Sequence, residues 1–253
     1  GGVGSDTLDG DNGNDTLRGD DGYDVIDGGA GFDRLFGGDN NDTLIGGTQA
    51  DVIKGGEGDD AMLGGGGNDR IFGQAGDDNA EGGNGTDLIS GSWGNDTLRG
   101  DGGDDTLEGD AGEDILFGGA NNDLLDGGTQ ADVLRGGDQQ DTLRGGNGQD
   151  ALFGNADSDT LNGGTGSDTL TGGLQGDSFV FVTGDGMDVI TDFTLGLDSL
   201  SVNGLAENDF WAGPDWASYD DVAAGVRITM VSGDTILLEG VSEADLQDYY
   251  AAI

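Results

Sequence analysis

The 253-residue chain has no cysteine, no histidine and a single proline. Without thiol or imidazole there is no Cys-His or Ser-His-Asp nucleophile system and no zinc hydrolase motif, and most general-base designs are also lost. Zinc and copper sites lose their usual ligands. No disulfide can brace the fold, and this neither requires nor forbids an oxidising compartment. Cations are also scarce. Eight Lys and Arg stand against 52 Asp and Glu, a formal net charge of −44. Nucleic acid and anionic membranes would be repelled, so neither is expected as a partner. No apolar run is long enough to span a bilayer and no N-terminal signal peptide is present. The sequence opens in mid-pattern without Met, as expected of a fragment of a longer protein.

What is abundant is glycine, with 57 residues, and aspartate in strict register. Aspartate occupies every ninth position: Asp6, Asp15, Asp24, Asp33, Asp42, Asp51, Asp60, Asp69, Asp78, Asp87, Asp96, Asp105, Asp114, Asp123, Asp132, Asp141, Asp150, Asp159, Asp168 and Asp177. A glycine stands five residues before each, from Gly1 to Gly172. A large apolar residue stands two after each, Ala80 being the one small exception. A fixed short period sustained this far is the signature of a solenoid.

Numbered from its first glycine, the unit is Gly-Gly-x-Gly-x-Asp-x-aliphatic-x. Its first six residues read as a turn, with glycine supplying positive φ. Its last three read as a short strand with one inward side chain. Two units make a coil of strand, loop, strand, loop, and twenty units make about ten coils. Parallel pairing at about 4.7–4.9 Å per coil gives a rod roughly 48 Å long. The fold class is therefore all-β.

Stacking coils places the aspartates about 5 Å apart along each edge, where neighbours repel by several kcal/mol at a surface-like dielectric. No loop cation answers them: Arg18, Arg34, Lys54, Arg70, Arg99, Arg135 and Arg144 all fall at positions seven or nine. A hard divalent ion bound by oxygens fits the need. Calcium accepts six to eight oxygens in flexible geometry, whereas magnesium demands a stricter octahedron and retains water. The bland alternative is a metal-free solenoid whose aspartates form Asx-turns.

Over residues 1–180 the nonapeptide resembles the calcium-binding repeat of RTX (repeats-in-toxin, hemolysin-type) proteins. The resemblance implies a right-handed parallel β-roll with calcium between the loops of successive coils on one edge. The ligands would be the twenty aspartates and carbonyls of the glycine loops, such as those of Gly28, Ala30 and Gly31. Asp24 and Asp42 would share one ion, and Asp33 and Asp51 another. The 18 possible same-edge loop pairs could take up to about 18 Ca²⁺, bringing the net charge to about −8. Without metal, so glycine-rich and charged a chain is expected to be disordered, so that metal binding drives folding.

The pattern has departures. Position four is Gln in 46–54, 127–135, 136–144 and 172–180, and Gln enters the left-handed region poorly, which puts those loops in doubt as ion sites. Position two is Asp at Asp11, Asp20, Asp101 and Asp110. A second period also appears: residues 40–53 and 121–134 nearly repeat at an offset of nine units, as do Phe36 and Phe117, and Phe72 and Phe153. Nine is odd, so a duplicated block lands on the opposite side of the roll. The four phenylalanines sit at position nine and are expected to point outward, as isolated surface aromatics or as a packing or partner surface.

Composition shifts near Val180. Five runs read as strands in the remainder: SFVFV, DVITDF, DSLSVNGL, VRITM and TILLEGV. Residues 242–251 read as a short helix opened by Ser242 or Glu243. The expected division is a roll over 1–180 and a β-rich cap over 181–253, since a solenoid must cover its last coil. This segment resembles the end of type I-secreted RTX proteins. That implies a C-terminal secretion signal, the type I apparatus as partner, and a secreted, extracellular or cell-surface location. Adjacent acids such as Asp59-Asp60, Asp77-Asp78 and Asp104-Asp105 imitate a glycosidase pair, but in so acidic a chain the match carries no weight. The expected function is a non-enzymatic calcium-binding module that folds outside the cell and supports export and stability of a larger protein. The alternatives are an adhesin or ice-binding rod, built on outward threonines such as Thr7, Thr16 and Thr43, or the auxiliary module of a secreted lipase, protease or polysaccharide-modifying enzyme.

Overall fold

A computed structural model describes residues 1–202, 217–222, 224–230 and 233–246. The chain winds as a parallel β-solenoid of about eleven turns. Among the described residues, successive strands of the repeat alternate between a 12-stranded and a 14-stranded sheet. Strands one coil apart pair in parallel, so Leu17 faces Leu35 and Ile26 faces Leu44. The position-eight side chains form a single core column: Ile26, Leu44, Met62, Ala80 and Leu98 on one sheet meet Leu35, Ile53, Ile71, Ile89 and Leu107 on the other, all buried.

The strand is longer than the sequence pattern suggests. A representative one, Arg34–Asp39, has six residues and runs from position seven through position three of the next unit. Only positions four to six turn. The reason lies at position two, which takes a positive φ yet keeps its pairing, while the register steps over position one: Phe36 pairs with Lys54 and Gly38 with Gly56, skipping Gly37 and Gly55. Position one thus becomes a second inward-facing site, buried like position eight. Where glycine is absent φ stays positive but takes a smaller value. Asp11, Asp20, Asp101 and Asp110 hold φ between 61° and 72°. Gln49, Gln130, Gln139 and Gln175 hold φ between 69° and 82°. The position-four glycines hold larger values, such as 131° at Gly13 and 139° at Gly85, so the glutamine loops keep a positive φ but at a different angle from the glycine loops.

Position five makes an external ladder. Asp59 Oδ1 accepts from the Asp77 N–H at 3.0 Å, Asp77 Oδ1 from the Asn95 N–H at 2.8 Å, and Asn95 Oδ1 from the Glu113 N–H at 2.8 Å.

The position-nine phenylalanines are half-buried rather than isolated. Each ring lies under a cation from the preceding coil: Arg18 stands 4.2 Å from the Phe36 centroid, Lys54 5.5 Å from Phe72, Arg99 4.3 Å from Phe117 and Arg135 4.3 Å from Phe153. The register sets these partners directly opposite one another. Each sheet thus carries a column of alternating cation and ring, and the nine-unit offset maps one column onto the other.

Beyond the repeats all five expected runs contain strands, and Ala217–Val222 adds one that was not anticipated. Ser178–Phe181 and Ser199–Val202 continue the first sheet. Met187–Ile190 continues the second, pairs in parallel with Thr235–Glu239, and the sheet then turns antiparallel through Gly225–Met230 to Ala217–Val222. Phe179, Phe181 and Phe193 fill the core here. Ser242 caps a short helix over 243–246: its Oγ accepts from the Asp245 N–H at 3.2 Å and its N–H donates to the Asp245 carboxylate at 3.0 Å. Phe210, Trp211, Pro214, Trp216 and the terminal residues 249–253 lie outside the described residues.

The inward and outward rows should respond differently to mutation. Leu116→Ala leaves a hole in the core column and is expected to cost about 2–5 kcal/mol. Phe117→Leu keeps an apolar side chain but loses the Arg99 contact, about 0.5–1 kcal/mol. Thermal unfolding of the metal-loaded chain checks the ranking, and equal losses would contradict the assignment of faces.

Candidate cation sites along the two edges

The tight turn at positions four to six swings each position-six aspartate back into the roll. From Asp24 to Asp177 these carboxylates are no more than 3 % exposed. One oxygen of each is used by the protein. Asp42 Oδ1 accepts from the Asp24 N–H at 2.8 Å and Asp51 Oδ1 from the Asp33 N–H at 2.7 Å, and the same link joins each aspartate to the next coil along both edges. This inter-coil bond takes the place of the Asx-turn alternative.

The other oxygen is left without a donor. Oδ2 of 18 aspartates, Asp15 through Asp168 except the terminal Asp6 and Asp177, is buried and accepts no hydrogen bond. Its surroundings are consistent along the roll. A Cβ placed on Gly28 would lie 2.6 Å from Asp33 Oδ2 and 2.7 Å from the Gly46 carbonyl oxygen, and one on Gly127 would lie the same distances from Asp132 Oδ2 and the Gly145 carbonyl. The missing side chain at position one therefore leaves a cradle lined by a carboxylate oxygen and a carbonyl oxygen from the next coil. That carbonyl is free to face the cradle because the register steps over position one. Of the loop carbonyls expected as ligands, Gly28's faces the cradle at Gly10, beside Asp15 Oδ2. Ala30's accepts the Gly13 N–H at 2.8 Å, which leaves it one lone pair. Gly31 lies against the Gly13 carbonyl.

Buried oxygens facing oxygens without a donor are unfavourable in the absence of a cation. The carboxyls register this. Burial pushes Asp78 and Asp141 up to about 8 from an ordinary 3.8, against the opposing pull of the N–H groups of Asp60 and Asp123. Burial likewise raises Asp60, Asp123 and Asp132 to about 7, and Asp96 and Asp114 to about 6. Among the described residues no three carboxylates converge on one point, so a bound ion must draw on carbonyls as well. An all-oxygen site mixing one carboxylate with main-chain carbonyls suits a hard, coordinatively flexible divalent cation. The residues present therefore fit calcium.

The ladder runs further than the nonapeptides. Asp188 Oδ1 accepts from the Asp168 N–H, and Asp198 Oδ1 from the Asp177 N–H, each at 3.0 Å. Both were missed because their spacing from the preceding aspartate is eleven and ten residues. The signal was still present, since each is followed two residues later by a buried apolar residue, Ile190 and Leu200. Asp198 differs from the others in that its Oδ2 accepts the Thr194 N–H at 2.6 Å. This end of the ladder is therefore closed by protein donors. The adjacent acids Asp59 and Asp60 diverge, one exposed and one buried, so they form no carboxylate pair.

Two tests follow from the cradle. Gly127→Ala puts a methyl between Asp132 and Gly145 and should sharply weaken cation binding at that coil, whereas Gly66→Ala, with nothing within 4 Å, should leave it unchanged. Calorimetric titration compares them, and equal behaviour would contradict the placement. Protons should act oppositely to hydroxide on the metal-stripped fold. Carboxyls raised to between about 6 and 8 hold protons more tightly folded than unfolded, so their stabilisation is complete below about pH 4 and is lost as pH climbs through 6 to 8. In chelator the far-UV β signal should be larger near about pH 4 than near about pH 9. A signal growing with pH would rule out this burial.

Among the described residues no helix is long and apolar enough to cross a membrane. No curated protein matches the chain. The family model of the RTX calcium-binding nonapeptide repeat (4 copies) matches in overlapping stretches from 1–35 and 36–71 to 144–179 and 153–190, which together span residues 1–190. The chain therefore belongs to the RTX calcium-binding repeat family and forms a calcium-binding β-roll module.

Proposed function

We propose that this calcium-binding module folds when it meets calcium outside the cell, and that it serves the export through a type I apparatus and the stability of a larger secreted protein. The observation that carries this reading is the row of 18 buried carboxylate oxygens without a donor. A roll with that many uncompensated acids and a core only one side chain wide per strand has little to hold it together without cations. Extracellular-type calcium sites bind at about 10⁻⁴–10⁻³ M, above cytosolic calcium, so the chain would stay uncoiled inside and coil outside.

In this reading the twenty position-six aspartates, Asp6 through Asp177, are the ligands, together with position-one carbonyls, and up to about 18 ions bind. The Gln loops belong to the same set, because their aspartates Asp51, Asp132 and Asp141 are buried with a bare Oδ2 like the others. Residues 1–180 form the roll and 181–253 the cap with the secretion signal. The cap is suited to that place because its last acidic step, at Asp198, is satisfied by protein N–H groups and needs no metal. In this reading the module itself binds and folds rather than catalyses, and any activity belongs to other parts of the parent protein.

The experiment is a calcium titration of the full chain followed by far-UV circular dichroism, with magnesium as the control cation. The chain should be unordered in chelator near neutral pH, become β in millimolar calcium along a steep curve, and fail to do so in equal magnesium. Asp96→Ala, mid-roll, should raise the calcium midpoint more than Asp6→Ala, at the open end. A roll fully formed in chelator at neutral pH, or equal folding in magnesium, would overturn the reading.

A further inference from the structure

Of the five Asn-Gly pairs in the sequence, three, Asn12-Gly13, Asn84-Gly85 and Asn147-Gly148, fall at positions three and four of their units, the others being Asn162-Gly163 and Asn203-Gly204. The asparagine side chains are exposed. In a flexible chain such a pair reacts with itself. The glycine main-chain nitrogen attacks the asparagine side-chain amide carbon, a new N–C bond forms, the amide C–N bond breaks and ammonia leaves with the proton. Water then opens the cyclic imide to aspartate or isoaspartate. Glycine favours the step because it has no side chain to hinder the approach and leaves the backbone free to rotate.

The roll removes that freedom at Asn84. The Gly85 N–H donates to the Gly102 carbonyl at 2.8 Å on the following coil. The Asn84 carbonyl accepts the Gly67 N–H at 2.8 Å from the preceding coil. Gly85 also lies directly against the Gly67 carbonyl, with no room to swing. The attacking nitrogen is thus held by one neighbour and the peptide by the other, and cyclisation requires both contacts to open. Asn12-Gly13 is held less firmly. Its N–H donates to the Ala30 carbonyl at 2.8 Å, but Asn12 has only an isolated bridge to Ala30. It lies in the second unit of the roll, where terminal coils fray.

We propose that Asn84 is a fold-gated deamidation site: the uncoiled chain converts it to aspartate or isoaspartate, and the coiled chain protects it. This rests on the reading that calcium drives coiling. The chemistry has a consequence for refolding. Isoaspartate lengthens the main chain by one methylene three residues before Asp87, and so breaks the register that places that carboxylate. Time spent without calcium would be recorded covalently, as chains that no longer coil properly at the middle of the roll.

The test incubates the full chain at mildly alkaline pH in calcium, in chelator, and in calcium with denaturing urea. Peptide mass spectrometry follows the mass gain of amide-to-acid conversion at Asn84 and Asn12, and circular dichroism records the fold of each sample. Conversion at Asn84 should be about tenfold or more slower in calcium than in chelator or urea, with Asn12 faster than Asn84 in calcium. The Asn84→Gln variant should lose the signal at that peptide only. Equal conversion in coiled and urea-unfolded chains, or no conversion even in urea, would overturn the proposal. If the chain stays coiled in chelator, the calcium-driven folding reading fails instead, and the calcium and urea samples alone judge the gating.

Discussion

A buried carboxylate with one oxygen bonded and the other bare is the element on which the whole rod turns. The bonded oxygen makes the stack specific: an N–H of one coil meets the carboxylate of the next at a fixed height, so coils cannot slip by a residue without losing the link. The bare oxygen makes the stack conditional. It faces a carbonyl across a gap that only a missing side chain keeps open, and like-facing oxygens need something positive between them. Positional order and dependence on a cation thus come from the two oxygens of the same side chain. This explains why a chain with 52 acids and so few bases can have a compact form at all.

The apolar core is subordinate to that arrangement. One residue per strand, mostly leucine or isoleucine, forms a column with no width to spare. Such a column gives each coil a modest and nearly equal contribution, and each coil touches only its neighbours, so stability grows along the axis in small steps. The cation-over-phenylalanine columns add a further increment that does not depend on metal. Arg18, Lys54, Arg99 and Arg135 use the flat outer face of the sheet in a way that keeps scarce positive charge away from the acidic edges. Placed in the loops, the same residues would compete with the ion for the carboxylates.

Much of this was legible because the repeat leaves little freedom. The nine-residue period fixes the solenoid, the aspartate register fixes two acidic edges, and the lack of compensating cations points to a divalent ion. Strand length was not legible. A strand crossing Gly37-Gly38 looks like a turn in sequence, because pairing that tolerates a positive φ and steps over one residue leaves no hydropathy signal. Gln49 and Gln130 looked like poor occupants of their loops, yet both take a positive φ there. Asp188 and Asp198 fall outside the constant spacing, because the structure preserves coil height and lets the loop length vary. The pairing of Arg18 with Phe36 was visible only after the coil length of 18 residues placed them side by side.

The duplicated block of nine units has a geometric effect that its length alone decides. A block with an even number of units would have set its copy in line with the original, extending one stripe of arginine and phenylalanine down one side of the rod. An odd block turns the copy through half a coil, so Arg18, Phe36, Lys54 and Phe72 lie on one sheet and Arg99, Phe117, Arg135 and Phe153 on the other. The odd offset therefore puts the pattern on both sides of the molecule. The rod that results is marked on both flat faces, each over a different stretch of its length, so a body meeting it from either side finds the same surface at a different height.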